Sequence, residues 1–310
     1  SWRSRDAGDM SSIVATTDLT KRYGSTTVVD GLDLAVPEGS VYGFLGPNGS
    51  GKSTTMKMLL SLVQPTSGEV LLMERPMNRA TRRGLLAHVG SLIEAPPGYG
   101  HLTGRENLRL AQRLLGLSER QVDQAVRTVR LQDHLDKKVR NYSLGMKQRL
   151  GIALALAREP RLLILDEPTN GLDPAGIEEI RELMRRLASQ GITIMVSSHL
   201  LGEIDKTATF LGILSQGRLI FQGSRADLFQ AATPDVVLRC SDPPAAHQLL
   251  AARVPSTLTG QELHLAGLGD QDVAACVDTL VSHRIGVFDV RRREQSLEDV
   301  FRDLTAGGRL

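Results

Sequence analysis

Short apolar runs alternate with segments of helical spacing through the first two thirds of the chain. Leu162–Leu165 is continuously apolar, and Val41–Leu45 carries a single glycine among apolar residues. Such runs are typical of strands buried on both faces of a parallel sheet. Residues 177–189 carry apolar side chains at the three- and four-residue spacing of an amphipathic helix. Strands that alternate with helices predict an α/β domain with a mostly parallel sheet.

Two segments depart from this alternation. Residues 13–39 favour an antiparallel β segment, with one strand over 14–19 and a second over 26–36. From about residue 101 to residue 140 the apolar positions take helical spacing, beginning at a Thr103–Glu106 pair with the spacing of a capping box. We therefore expect an α/β domain over residues 13–228 that contains a helical insertion.

The pattern restarts after about residue 228. Strand, helix, two short strands, helix and strand follow one another, which is the β-α-β-β-α-β order of a ferredoxin-like module. Residues 296–304 add a predicted terminal helix with Ser296 as its N-cap. Residues 229–310 are thus predicted to form a small α+β accessory domain.

Composition limits the classes of function. The 310 residues have a formal net charge of +2, which gives no indication of a nucleic-acid surface. Cys240 and Cys276 have no metal-ligand spacing and suit buried thiols in a reducing compartment. No apolar run approaches the roughly 18 residues of a membrane span, and residues 1–12 have the composition of a flexible leader. We expect a cytosolic protein whose membrane role, if it has one, comes through a partner.

A glycine-rich turn follows the strand Val41–Leu45. Residues 46–53 match G-x-x-x-x-G-K-[ST], the phosphate-binding loop, and a helical pattern follows them. Backbone N–H groups and the helix N-terminus would converge on one anion. Lys52 would reach the β- and γ-phosphates, and the Ser53 hydroxyl would hold Mg²⁺. A glycine turn that carries Lys-Ser by chance is the alternative, and the strand and helix around it argue against that.

Two further segments extend this chemistry. The strand Leu162–Leu165 ends in Asp166, suited to Mg²⁺, and Glu167, suited to polarise an attacking water. A strand end with solvated acids is the alternative. Ser143 can cap a following helix, and Gly145 leaves its first N–H groups open to an anion. A second anion-seeking helix end in one chain is explained if it serves the phosphate of a facing copy. A plain capped helix is the alternative.

In this order, the motifs resemble the nucleotide-binding subunit of an ATP-binding cassette (ABC) transporter. The resemblance covers residues 13–225, with 46–53 similar to Walker A and 162–167 to Walker B. Residues 143–148 resemble the signature motif, 170–173 the D-loop, and His199 lies at the switch histidine. The resemblance implies the P-loop NTPase fold of an ABC cassette, with ATP and Mg²⁺ as ligands.

The resemblance also implies individual roles. Glu167, His199 and Lys52 would be catalytic, Tyr23 would stack on adenine, and Asp173 would belong to the D-loop. The implied phosphate-binding residues are Gly46, Asn48, Gly49, Gly51, Lys52, Ser53 and Thr54. The implied signature residues, which contact the partner's ATP, are Ser143, Leu144, Gly145, Met146 and Gln148.

Three positions depart from the family pattern. Leu144 replaces the first signature glycine, Met146 replaces the signature glutamine, and Glu94 stands where the family has its Q-loop glutamine. A carboxylate at Glu94 could still ligate Mg²⁺. These variants resemble the branch that pairs with ABC-2-type permeases, which includes exporters of peptide antibiotics, drugs and lipids.

The resemblance implies ATP hydrolysis that powers export through a separate membrane permease. Two cassettes would form an ATP-dependent homodimer on the cytoplasmic face of the membrane, and no nucleic-acid partner is expected. The alternatives are a soluble ABC ATPase that acts on nucleic acid or the ribosome, and a regulatory cassette with weak turnover.

Overall fold

A computed structural model of the protein describes residues 11–94, 98–200, 202, 207–231, 235–266, 268–292 and 300. The chain divides into two compact units, residues 1–225 and residues 226–310. Every described helix falls short of the length and apolarity that a bilayer crossing demands.

The first unit is built on a six-stranded sheet. Its strands are β4 (Val41–Leu45), β7 (Val89–Leu92), β8 (Leu162–Leu165), β9 (Thr193–Ser198), β10 (Phe210–Ser215) and β11 (Arg218–Ser224). Their order is β11-β10-β4-β9-β8-β7, and only β11, at one edge, runs antiparallel to its neighbour. All residues of β4, β8 and β9 are buried, as their apolar runs predict for central parallel strands. The mostly parallel sheet is confirmed.

An antiparallel sheet forms the N-terminal part of this unit. Its strands are β1 (Ser12–Tyr23), β2 (Thr26–Leu32), β3 (Ala35–Pro37), β5 (Ser67–Leu72) and β6 (Arg75–Pro76). The prediction of one strand over 26–36 was wrong, because residues 33 and 34 interrupt the strand between β2 and β3. There the Asp18 N–H donates to Asp33 Oδ1 at 2.8 Å, and the Leu34 N–H donates to Thr16 Oγ1 at 2.8 Å. The two pieces therefore pair with different stretches of the bulged strand β1.

Six described α-helices lie in this unit, and a seventh begins at its last residue. They are α1 (Lys52–Leu59), α2 (Arg82–Leu86), α3 (Gly104–Leu115), α4 (Glu119–Thr128), α5 (Leu144–Leu156), α6 (Pro174–Ser189) and α7 (Arg225–Ala231). The capping box at α3 is confirmed, since Thr103 and Glu106 exchange both of its hydrogen bonds. The helical pattern of residues 147–158 predicts α5, and the helix begins three residues earlier, at Leu144, because Ser143 caps it. Residues 199–206, whose pattern also predicts the start of a helix, lie mostly outside the described residues.

One apolar core joins the two sheets of the first unit to the helix after the phosphate loop. It contains Val14 and Leu72 from the antiparallel sheet, Phe44 from β4, and Met56 and Leu59 from α1, all at most 2% exposed. Burial of apolar surface at about 25 cal/mol per Å² is the main force that fixes α1 against these strands. The loop that precedes α1 is therefore held at both ends by buried elements.

The second unit has a four-stranded antiparallel sheet with order β13-β14-β12-β15. Its elements are β12 (Val236–Cys240), α8 (Pro243–Leu250), β13 (Ser256–Thr259), β14 (Glu262–Leu265), α9 (Asp270–Ser282) and β15 (Val287–Arg292). This is the β-α-β-β-α-β order of a ferredoxin-like module. Cys240 and Cys276 are free thiols in its apolar core, and burial raises the pKa of both. The terminal helix predicted over 296–304 lies outside the described residues, apart from Val300.

Candidate active site

The phosphate loop connects β4 to α1 and requires glycine at several points. Gly49 and Gly51 have φ values of +80° and +105°, which disfavour other residues. A Cβ on Gly51 would lie 2.7 Å from the Val28 carbonyl oxygen, and one on Gly46 would lie 2.5 Å from that of Leu214. The Ser50 hydroxyl is buried and has no hydrogen-bond partner among the described residues. A tight, backbone-lined turn with an unsatisfied buried hydroxyl suits a phosphate group.

Lys52, the first residue of α1, is only 5% exposed. Its ammonium donates to the carbonyl oxygens of Gly46 at 2.7 Å and Pro47 at 3.3 Å. The Glu167 Oε1 atom lies 3.7 Å from the Lys52 Nζ atom. Burial lowers the pKa of Lys52, and the nearby carboxylates of Glu167 and Asp166 oppose that shift. The structure thus brings the loop lysine to the carboxylate that the sequence singled out for water activation.

The neighbouring strand β9 contacts both Walker B residues, the carboxylate of Asp166 and the backbone of Glu167. Ser197 Oγ donates to Asp166 Oδ1 at 2.5 Å and accepts from the Glu167 N–H at 2.9 Å. The backbone of Glu167 is left-handed, with φ of +46°. This unusual conformation in a non-glycine residue places the Glu167 side chain toward Lys52 rather than continuing the strand.

His199 completes this group. Its Nδ1 atom lies 3.1 Å from Glu167 Oε2, and both side chains are partly buried. Lys52, Glu167 and His199 therefore follow three adjacent strands of the sheet, β4, β8 and β9, at their carboxyl ends. Ligands bind at this edge in open α/β sheets. The arrangement can hold a triphosphate at the loop and present a carboxylate, oriented by an imidazole, to an attacking water.

Sequence reasoning missed Ser197. It named His199 two positions later but gave the serine no role. A signal existed, because parallel pairing of β8 with β9 matches Leu165 with Val196 and so sets Ser197 beside Asp166. Finding it required the register of two strands that are 30 residues apart, which the apolar pattern alone does not fix.

The candidate Mg²⁺ ligands beside the phosphate loop present oxygen atoms. Ser53 follows Lys52 at the start of α1, and the Asp166 carboxylate is 8% exposed at the end of β8. No group of three or more His, Cys, Asp or Glu side chains suited to a metal occurs in the described parts of the chain. Mg²⁺ is commonly held by one or two carboxylates together with substrate phosphates and water. The donor set present fits that mode of binding, in which the nucleotide brings ligands of its own.

Glu94, the expected third Mg²⁺ ligand, makes an ion pair with Lys57 of α1. This hydrogen bond is the main cause of a raised Lys57 pKa. Glu94 comes two residues after Leu92, whose carbonyl oxygen accepts from the Asp166 N–H at 2.8 Å. The carboxylate thus belongs to the neighbourhood of Asp166, with its charge balanced by a lysine that the sequence analysis did not consider.

The signature segment forms the start of α5. Ser143 is the N-cap, and its Oγ accepts from the Met146 N–H at 3.2 Å, so the predicted capping role is confirmed. Leu144 is 41% exposed. Gln148 is buried, and its Oε1 atom has no hydrogen-bond partner among the described residues. No hydrogen bond or ion pair joins residues 143–148 to the phosphate loop within the described chain.

Two further sites lie apart from this group. Asp173 is the N-cap of α6, where its Oδ1 atom accepts from the Gly176 N–H at 3.0 Å. Tyr23 ends β1 with half of its side chain exposed, and the Lys21 ammonium lies 4.9 Å from its ring centroid. The Tyr23 ring is accessible for stacking on a planar base.

Fold and site together define a P-loop ATPase whose signature turn stands apart from its own phosphate loop. A sequence model described as "ABC transporter" matches residues 29–170. The chain is 41% identical over 308 residues to the bacitracin transport ATP-binding protein BcrA of Bacillus licheniformis, covering 96% of this chain and 99% of that protein. This chain therefore belongs to the ABC transporter family of ATP-binding proteins.

Two other comparisons agree. The daunorubicin resistance ATP-binding protein DrrA3 of Streptomyces coeruleorubidus is 37% identical over 310 residues, covering 93% of this chain and 94% of that protein. A solved ATP-binding subunit of an ABC transporter is 31% identical with a TM-score of 0.64, covering 70% of this chain and 92% of that one. The chain is an ATP-binding subunit with ATPase activity coupled to export through a separate permease. Family members also dimerise. The nucleic-acid and ribosome alternatives are not favoured.

Proposed function

We propose that this chain powers the export of an antibiotic through an ABC-2-type permease, with hydrolysis centred on Glu167. The observation that carries the catalytic part is the contact set of Glu167, 3.7 Å from the Lys52 ammonium and 3.1 Å from His199. The cargo class is supported by two relatives named for bacitracin and daunorubicin, each matched over more than 90% of both chains. Bacitracin is the first substrate to test, because its relative has the higher identity.

In the proposed mechanism, the loop N–H groups and Lys52 hold the β- and γ-phosphates of ATP. Glu167 accepts a proton from the attacking water, and His199 orients the Glu167 carboxylate through its Nδ1 atom. Ser197 holds Asp166 through its carboxylate and Glu167 through its backbone N–H. Mg²⁺, held by Ser53 and Asp166, would neutralise charge on the phosphates. Tyr23 would stack on the adenine ring.

The other half of the site comes from a second copy. Ser143 and Gly145 lie at the exposed start of α5, where backbone N–H groups and the helix dipole favour an anion. In the proposed ATP-dependent homodimer, these groups face the γ-phosphate bound by the partner. Binding of two ATP molecules and closure of the dimer are then linked.

The permease would contact the helical insertion and the loop that follows Glu94. Leu114 on α3 is 83% exposed and Tyr99 is 62% exposed, and Leu110 and Leu115 add apolar surface on the same helix. Exposed apolar side chains of this size fit a protein partner. Docking there would hold the chain on the cytoplasmic face of the membrane.

A single substitution, Glu167→Gln, tests the proposal at two levels. Purified protein should bind ATP with wild-type affinity, lose turnover by about 10³-fold or more, and accumulate as a dimer with ATP. Cells that express the chain with its permease should gain bacitracin resistance, and the variant should abolish it. Glu69→Gln, at an exposed residue of β5, is the matched control and should change neither measurement.

Wild-type turnover in Glu167→Gln would refute the role of Glu167. Resistance that survives the loss of turnover would refute ATP-driven export. Resistance to daunorubicin instead of bacitracin would retain export and replace the proposed cargo.

A further inference from the structure

The signature turn and the D-loop turn of the same chain meet at two leucine–glycine pairs. A Cβ on Gly171 would lie 3.0 Å from Leu144 Cδ2, and a Cβ on Gly145 would lie 3.8 Å from Leu172 Cδ2. Leu144 therefore packs against Gly171, whereas Leu172 lies beside Gly145 with room for one methyl group between them. We call residues 144–145 and 171–172 the interlock.

The two sides of the interlock are not equally tight. At Gly145 a methyl group would make an ordinary van der Waals contact. At Gly171 the contact would be tighter than nine in ten real Cβ contacts, so Leu144 would have to shift by a few tenths of an ångström, and the backbone φ of +75° already favours glycine. Leu144, which replaces the first glycine of the family signature, thus occupies space that exists because residue 171 has no side chain.

The D-loop side of the interlock is bonded directly to the catalytic strand end. The Asn170 N–H donates to the Glu167 carbonyl oxygen at 3.1 Å, and the Leu172 N–H donates to that of Thr169 at 3.1 Å. Two short hydrogen-bonded turns therefore link Gly171 to the backbone of Glu167.

A second connection joins the helices that follow the two turns. Arg149 of α5 pairs with Glu179 of α6. Ser143 and Asp173 cap the same two helices at the ends where the interlock lies. The signature turn and the D-loop turn are thus joined by apolar packing at the helix starts and by an ion pair further along.

We propose that Leu144 is a positioning residue that makes the signature turn and the D-loop turn of one chain move as a unit. The turn that serves the partner's phosphate is then coupled to the turn that follows the chain's own Glu167. This inference rests on the proposed function, because it assumes that residues 143–145 act on a partner's ATP. It assigns Leu144 a function at a position where the departure from glycine suggested a weakened signature.

A double-mutant cycle of Leu144→Gly and Gly171→Ala isolates the contact. Alanine at residue 171 adds both backbone strain and a clash with Leu144. The strain is the same in either background, so it cancels, whereas the clash exists only with Leu144 present. We expect Gly171→Ala to lower kcat about tenfold or more in the wild type and about threefold or less beside Leu144→Gly.

Two further readouts separate positioning from stability. Leu144→Gly alone should lower kcat about fivefold while ATP affinity, measured on monomer by calorimetry, stays unchanged, because the signature acts on the partner's nucleotide. Gly191→Ala is the matched control for strain: Gly191 has φ of +88° and nothing within 4 Å of a Cβ. Its effect on kcat should be the same with and without Leu144.

Equal effects of Gly171→Ala in both backgrounds would overturn the interlock. Coupling in the melting temperature without coupling in kcat would reduce Leu144 to a packing residue and overturn its positioning role. The proposed function fails separately, through wild-type turnover in Glu167→Gln, so the two failures are distinguishable.

Discussion

Two helix N-termini in this chain are suited to the same kind of ligand but are built differently. Helix α1 starts after Gly51, has no side-chain cap among the described residues, and begins with the buried Lys52. Helix α5 starts after Ser143, which caps it, and begins with the exposed Leu144. The first N-terminus leaves its N–H groups for a ligand, and the second satisfies one of them internally.

This difference indicates what each end does alone. The phosphate loop can bind an anion even in a single chain, because its glycines, its open N–H groups and its lysine lie together at the start of α1. The signature helix already satisfies one of its first N–H groups through Ser143, and that cap must be shared when a phosphate approaches. We therefore expect substitutions in the phosphate loop to weaken nucleotide binding and substitutions in the signature helix to weaken closure of the dimer.

Lys52→Ala should have the largest effect on binding. The substitution removes the ammonium group and its charge-assisted hydrogen bonds to the phosphates. Two such bonds at about 1.5–3 kcal/mol each correspond to ~100-fold weaker binding or more. Calorimetric titration of ATP into the monomer measures this directly.

The control is Lys147→Ala, near the start of α5. Because the proposed dimer assigns the signature helix to the partner's nucleotide, monomer affinity for ATP should not change. Equal loss of affinity in both variants would show that the two helix ends do not differ as described.

Ser143→Ala should act on closure rather than on binding. Loss of the cap costs about 1 kcal/mol, which corresponds to a melting temperature lower by about 2–4 °C. Turnover should also fall severalfold while monomer ATP affinity stays unchanged, since Ser143 faces the partner's phosphate in the proposed dimer.

Ser118→Ala is the control, because Ser118 also accepts from the N–H three residues later, at α4, although there it is part of a capping box with Gln121. It should lower the melting temperature by a similar amount and leave turnover unchanged. A similar loss of turnover in both variants would make Ser143 a structural cap only.

The sequence predicted the α/β fold and the phosphate loop because their signals are local. Apolar runs predict the buried strands Val41–Leu45 and Leu162–Leu165, and the glycine spacing predicts the turn between β4 and α1. It also predicted the cap at Ser143, which depends on residues three apart. Each of these patterns lies within a few residues, where periodicity and turn chemistry decide the structure.

Contacts between distant residues were not predictable in the same way. The bridge from Ser197 to Asp166 depends on strand register, and the packing of Leu144 on Gly171 depends on how two turns meet. The split of residues 26–36 into two strands depends on hydrogen bonds to Thr16 and Asp18 of β1. The role expected for Glu94 as a Mg²⁺ ligand stays a prediction, and the structure adds a partner, Lys57, that no local pattern indicates.

The smallest expected effect concerns the ion pair between Lys57 and Glu94. Glu94 is the position near the phosphate loop that departs from the family pattern. Lys57→Gln removes the charge that balances Glu94 and leaves a carboxylate uncompensated near Asp166. A solvent-accessible ion pair is worth about 0–1 kcal/mol, so ATP should bind at most about fivefold more weakly. The effect should disappear at high salt, where exposed charges are screened.

Lys57→Gln combined with Glu94→Gln completes the test. If Lys57 acts by neutralising Glu94, the double variant should regain wild-type ATP affinity, because no unbalanced charge remains. If Lys57 contacts the nucleotide itself, affinity should stay low in the double variant at every salt concentration, and the balancing role would be wrong. The first outcome would mean that the phosphate-loop half accommodates Glu94 because Lys57 balances its charge. In the proposed interlock, the signature half accommodates Leu144 in a different way, because Leu144 packs on Gly171.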